Sequence, residues 1–124
     1  MSDFLQQFGD DVRKNIPGYI ALAVTEIKSG ISYYSDSASN SFDPELASAF
    51  NLEVVKAKLN AINALGLDQA IDGIMITLTE QIHIIDISEN NEYFIYLAVD
   101  SRKANLGLTT ALLNKYKREI KGKL

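Results

Sequence analysis

Residues 42–66 read FDPELASAFNLEVVKAKLNAINALG, and this stretch decides the architecture. Asp43 followed by Pro44 marks a helix start. The aspartate accepts from first-turn N–H groups that lack partners, and proline, which has no N–H to lose, suits the first helical position. Gly66 supplies the stop, since glycine takes the positive φ after a helix end at little cost. Pro44 to Leu65 therefore reads as one helix, roughly 33 Å long at 1.5 Å per residue. Its apolar residues make two stripes: Phe50, Val54, Ala57, Ala61 and Leu65 on one, and Leu52, Val55, Leu59 and Ile62 on another, displaced by about 150°. One sheet covers only one stripe. The second has helix-helix spacing, so a second copy of the same helix is the economical cover, through Leu52, Val55, Leu59 and Ile62.

The flanking sequence supplies the sheet. Phe4, Leu5, Phe8 and Val12 recur at helical spacing within Ser2 to Asn15, and Pro17-Gly18 ends that helix. Tyr19–Glu26 and Ile31–Ser35 read as a hairpin turning at Lys28-Ser29-Gly30. Beyond Gly66, Ile71–Leu78, Gln81–Ser88 and Tyr93–Asp100 are β-branched and aromatic segments with short connections, an antiparallel meander. Ile82/Ile84 with Ile85/Ile87, and Phe94/Tyr96/Ala98 with Ile95/Leu97/Val99, are apolar at both parities, so both sheet faces need helices over them. A last helix from Leu106, capped by Asn105, carries Leu108, Leu112, Tyr116 and Ile120. The expected fold is α+β in the order α-β-β-α-β-β-β-α. Helices are expected on both sides of the sheet. Residues 1–124 form a single domain in this reading.

Composition narrows the function. There are no cysteines and one histidine, which leaves no disulfide framework and little for a metal. The amino terminus lacks a basic region followed by a long apolar run, and no stretch has the length a membrane span needs, so a cytoplasmic location is expected. Net charge is -4, but residues 1–100 hold five basic against fifteen acidic residues, while 101–124 hold seven basic residues and Glu119. Lys117, Arg118 and Lys121 complement the dipole of the last helix. The acidic body opposes phosphate, so nucleic acid is not an expected partner; an acidic protein is the alternative reader of that basic helix.

Catalytic motifs are missing. No Gly-x-Ser-x-Gly, phosphate-binding glycine loop or Gly-x-Gly-x-x-Gly occurs, and residues 36–43 lack the glycine and terminal glutamate of a calcium loop. His83, within Gln81-Ile82-His83-Ile84-Ile85, reads as a hydrogen-bonded structural residue of a strand. No enzyme activity, cofactor or metal is expected. Tyr33 and Tyr34 combine an aromatic body with a polar tip, and alternation along a strand sends them to opposite faces, leaving one for a partner.

Four short signatures carry a family resemblance: Ile16-Pro17-Gly18 before the first strand, Ser29-Gly30-Ile31 at the hairpin, Asp72-Gly73 entering the third strand, and Ala104-Asn105-Leu106-Gly107 before the last helix. In this order, over Phe4 to Ile120, the chain resembles the roadblock/dynein-light-chain family of the roadblock-longin superfamily. The resemblance implies a five-stranded antiparallel sheet sandwiched between the long middle helix on one face and the two terminal helices on the other, with dimerisation through the middle helix and the third strand, where Ile74 and Ile76 stand. It also implies work beside small Ras-like GTPases, as activator or scaffold, or as a cargo-linked motor subunit. No arginine finger falls at a matched position, so only the partner class carries over. The leading expectation is a non-enzymatic homodimeric adaptor or regulator that binds a small GTPase or similar protein. The alternative is a ligand-sensing module of profilin-like α/β topology.

Overall fold

The computed structural model describes residues 2–124. Its elements are α1 (Ser2–Asn15), β1 (Tyr19–Glu26), β2 (Ser32–Ser37), α2 (Pro44–Ala64), β3 (Gly73–Thr77), β4 (Gln81–Ile87), β5 (Tyr93–Asp100) and α3 (Leu106–Ile120). The five strands form one antiparallel sheet in the order β2-β1-β5-β4-β3. Central β5 explains the two-parity pattern: every residue from Tyr93 to Val99 is buried, alternately on the two faces. On one face Ile95, Leu97 and Val99 join Leu22, Val24 and Ile84 beneath Phe8 and Val12 of α1 and Leu113 and Tyr116 of α3. On the other, Phe94, Tyr96 and Ala98 join Ala21, Ala23, Ile85 and Ile87 beneath Leu52 and Val55 of α2. Each large apolar side chain so buried contributes about 1.5–3 kcal/mol.

The signature at residues 16–18 meets the end of β5, just before the signature at residues 104–107. Gly18 has φ 75°, and its carbonyl accepts from Asp100 N–H at 2.8 Å. A Cβ on Gly18 would stand 3.0 Å from the Asp100 carbonyl oxygen, so glycine answers both a left-handed conformation and a close backbone approach. The caps act as their residue types predict. Asp43 accepts from Glu45 and Leu46 N–H, and Asn105 from Leu108 N–H.

Three boundaries and faces differ from expectation. β2 runs from Ser32 to Ser37 rather than 31 to 35, leaving Ile31 exposed, and β3 shortens to Gly73–Thr77. On α3 the buried line is Thr109, Leu113, Tyr116 and Ile120, with Leu108 exposed. Steps of four throughout drift about 40° per step around a 3.6-residue turn, whereas a 4-3-4 progression stays over the sheet.

Candidate functional site

The two faces of α2 are used the opposite way round from the sequence reading. Val55 is 0% exposed and Leu52 8%, both packed on the chain's own sheet, and Leu59 is half-buried against the same core. These three belong to the core side, a correction to the expected seam. Ser48, one turn earlier on that side, is buried and shares a 2.5 Å hydrogen bond with Thr25 of β1, which fixes the rotation of the helix. The uncovered stripe is the other one: Leu46, Phe50 and Leu65 are 56%, 69% and 70% exposed, with Val54 half-buried between them.

α2 also leaves part of the sheet uncovered, because it packs on β1 and β2. Glu45 accepts from Ser35 of β2 at 3.2 Å, so that flank of the helix looks toward the β2 edge. At about 100° per residue, Val54, Ala61 and Leu65 lie on the opposite flank, toward β5, β4 and β3, while Ile62 stands about 20° from Val55 on the sheet side, half-buried near the end of the helix. There Ile74 and Ile76 of β3 lie on the α2 side, opposite Ile85 and His83 of β4, and are half-buried. Of the six residues expected at a seam, Ile62, Ile74 and Ile76 are half-buried beside the open part of the sheet, Leu52 and Val55 are buried in the chain's own core, and Leu59 is half-buried against that core.

The two sheet edges contrast sharply. β2 is polar, with Ser32, Ser35, Asp36 and Ser37, and Asp36 is held by a two-pronged Arg13 contact at 3.0 Å and by the Tyr19 hydroxyl at 2.5 Å. A bulge breaks its register between Val24 and Thr25. Such an edge resists strand addition. β3 carries Ile74, Met75 and Ile76 in unbroken register with β4, and its outer side has no strand neighbour among the described residues. An apolar, regular edge invites another strand.

The same bulge corrects the tyrosine expectation. Val24 pairs with Tyr34 and Thr25 with Ser32, so Tyr33 is the extra residue, and both rings pack on the α1/α3 side of the sheet. Neither faces the α2 side. Tyr33 donates to Glu26 at 2.9 Å, and together with Ser29 it holds that carboxyl below its usual range. Tyr34 lies over Gly9 of α1, where a Cβ would run into the ring end. Sequence gives no signal for that contact.

His83 sits half-buried on β4, its Nε2 2.8 Å from Gln81 Oε1 and its Nδ1 3.3 Å from the Tyr96 hydroxyl, with Phe42 and Tyr96 edge-on to its ring. Burial pushes its pKa down. It meets no nucleophile in these contacts, and no group of three or more histidine, aspartate or glutamate side chains among the described residues could hold a metal ion. Among the described residues no helix is long and apolar enough to cross a membrane. On the other side of the sheet a cavity of about 560 Å³ opens between α3 and β3, lined by Met75, Ile84, Asp86, Thr110, Leu113 and Lys117 among others.

No protein-family profile and no curated protein matches the sequence. Solved structures do match in shape. MglB from Myxococcus xanthus superposes with a TM-score of 0.74 at 13% identity, covering 92% of this chain and 79% of that one. An MglB structure described as a tetrameric arrangement gives 0.73 at 13% identity, covering 94% and 83%. A roadblock/LC7 domain from Streptomyces avermitilis gives 0.71 at 10% identity, covering 89% and 91%. The similarity spans nearly the whole chain and includes the helix and strands described above, so the chain has the roadblock-longin fold.

Proposed function

We propose that this protein is a non-enzymatic adaptor or regulator that works as a homodimer and binds a small Ras-like GTPase or a similar protein. The observation that carries the reading is the apolar surface on the α2 side, running from Val54, Ile62 and Leu65 across to Ile74 and Ile76 beside the unpaired β3 edge. A second copy related by a two-fold axis would lay its α2 flank and its β3 edge on the same features, as a self-complementary interface requires. The expectation of self-association draws support from the MglB structure described as tetrameric. Leu46, 56% exposed, points farther outward on α2, about 80° from Val54 and about 100° from Leu65, and would remain available in such a pair for a third chain. The GTPase class comes from the family resemblance in the four signatures, now joined by the shared fold.

Affinity capture from the native extract tests the partner, with Leu46→Asp as the comparison. Enrichment of a small GTPase on the wild-type protein, reduced on the variant, is the expected result. Capture of no protein above background would refute the adaptor role.

A further inference from the structure

We propose that the cavity between α3 and edge strand β3 receives a lysine or arginine side chain from a protein partner. It opens on the face of the sheet opposite α2, and it adjoins the surface assigned above to self-association only along β3, where its lining includes Ile74. Its floor is apolar, made by Met75, Ile84 and Leu113, and suits the aliphatic stem of such a side chain. Its charged groups are Asp72, Asp86 and Lys117. Lys117 reaches Asp86 Oδ1 at 3.0 Å and the Ile87 carbonyl at 3.4 Å, and the cavity holds this one cation for two carboxylates. The other Asp86 oxygen, Oδ2, is buried without any hydrogen-bond partner, in a residue only 8% exposed.

An ionised oxygen withdrawn from water and left without a donor is costly, and a rotation of the Asp86 side chain that turned this oxygen into the cavity would give it a donor on a bound cation. Burial pushes the Asp86 carboxyl up, Lys117 opposes this, and the charge of Asp72 adds to it. A second cation would act in the same direction as Lys117. Thr110 and Asn114 on the α3 wall offer hydrogen bonds to the backbone carrying the entering side chain, which favours a peptide over a free amine. This names a contact for the adaptor reading, yet its test uses the free chain alone, so its failure would leave that reading standing.

The probe is a blocked alanine-lysine-alanine tripeptide, titrated while methyl signals of Met75 and Ile84 are followed by NMR. The controls replace the probe's lysine by norleucine, which keeps the stem, or by glutamate. Saturable shifts with the lysine peptide, and binding at least about tenfold weaker with norleucine, are expected for a lost charge-assisted hydrogen bond. Asp86→Asn should weaken binding about tenfold as well. Lys117→Met should tighten it, because the internal competitor for Asp86 is gone; a merely structural ion pair would not do so. Asp72→Asn, at an exposed position, provides a variant that leaves the Asp86–Lys117 pair intact and should weaken binding more modestly. Equal binding of the norleucine peptide, equal binding of n-butylamine alone, or the absence of saturable shifts in the wild-type protein would overturn the proposal.

Discussion

Replacing Gly9 by alanine should destabilise the protein, against the usual expectation for a helix interior. Gly9 lies within α1, where alanine is ordinarily favoured by about 0.8–1 kcal/mol. Here the added Cβ would collide with the end of the Tyr34 ring, its hydroxyl nearest. Tyr34 is half-buried against the core beneath α1 and is held in β2 beside the bulge. Moving its ring aside gives up packing, and overfilling of this kind costs about 1–3 kcal/mol. The two effects leave a net loss of roughly 1 kcal/mol, or a drop of about 3–5 °C in Tm. Combining Gly9→Ala with Tyr34→Ala removes the obstacle, and alanine at position 9 should then stabilise by about 0.8–1 kcal/mol. Chemical denaturation of the four proteins in this cycle gives the coupling directly, expected at about 1–3 kcal/mol. Stabilisation by Gly9→Ala in both backgrounds would refute the reasoning.

Gly18→Ala should cost about 1–2 kcal/mol from the left-handed backbone alone, with further loss from crowding against Asp100; urea unfolding would measure it, and unchanged stability would contradict the close approach. His83 has a pKa held low by burial, so folding favours its neutral form; that stability is complete above pH 6.5 and declines as pH falls through the lower folded value. His83→Gln should flatten the decline in stability between about pH 7 and pH 5, read from thermal melts across that range. Glu26 is depressed by bonds from Ser29 and Tyr33, so its contribution is present above pH 4.5 and lost as pH falls through the folded value; carboxyl NMR titration should show this, and Tyr33→Phe should raise the midpoint.

The parts legible in the sequence were those set by local chemistry. Asp43-Pro44, Asn105 and Gly66 mark helix ends because capping depends on a residue and its own neighbours. β5 was legible because apolar residues at both parities admit one arrangement, a strand covered on both faces. The rotation of α2 was not, since both stripes are apolar and the choice depends on a distant strand, through Ser48 and Thr25. A signal was nonetheless there. Leu52, Val55 and Leu59 are bulkier than the alanines at 57 and 61 and fill a core better. The tyrosines misled for another reason: alternation holds only in an unbroken strand, and the extra residue at Tyr33 breaks it. Gly9 and the Asp86 cavity arise from segments far apart in the chain, which no local pattern records.

Light scattering on the wild type, Val54→Asp and Val55→Asp tests the central claim most directly, because these neighbours stand about 100° apart on α2, one half-buried beside the open surface and the other in the chain's own core. The account predicts a wild-type mass of twice 13.7 kDa at micromolar concentration. Val54→Asp should stay folded by circular dichroism yet fall to 13.7 kDa, since it would bury an unpaired charge between two copies. Val55→Asp, with no exposure to solvent, should lose the fold itself. A wild-type mass of 13.7 kDa, or an unchanged doubled mass for Val54→Asp, would contradict the association surface proposed for α2 and β3.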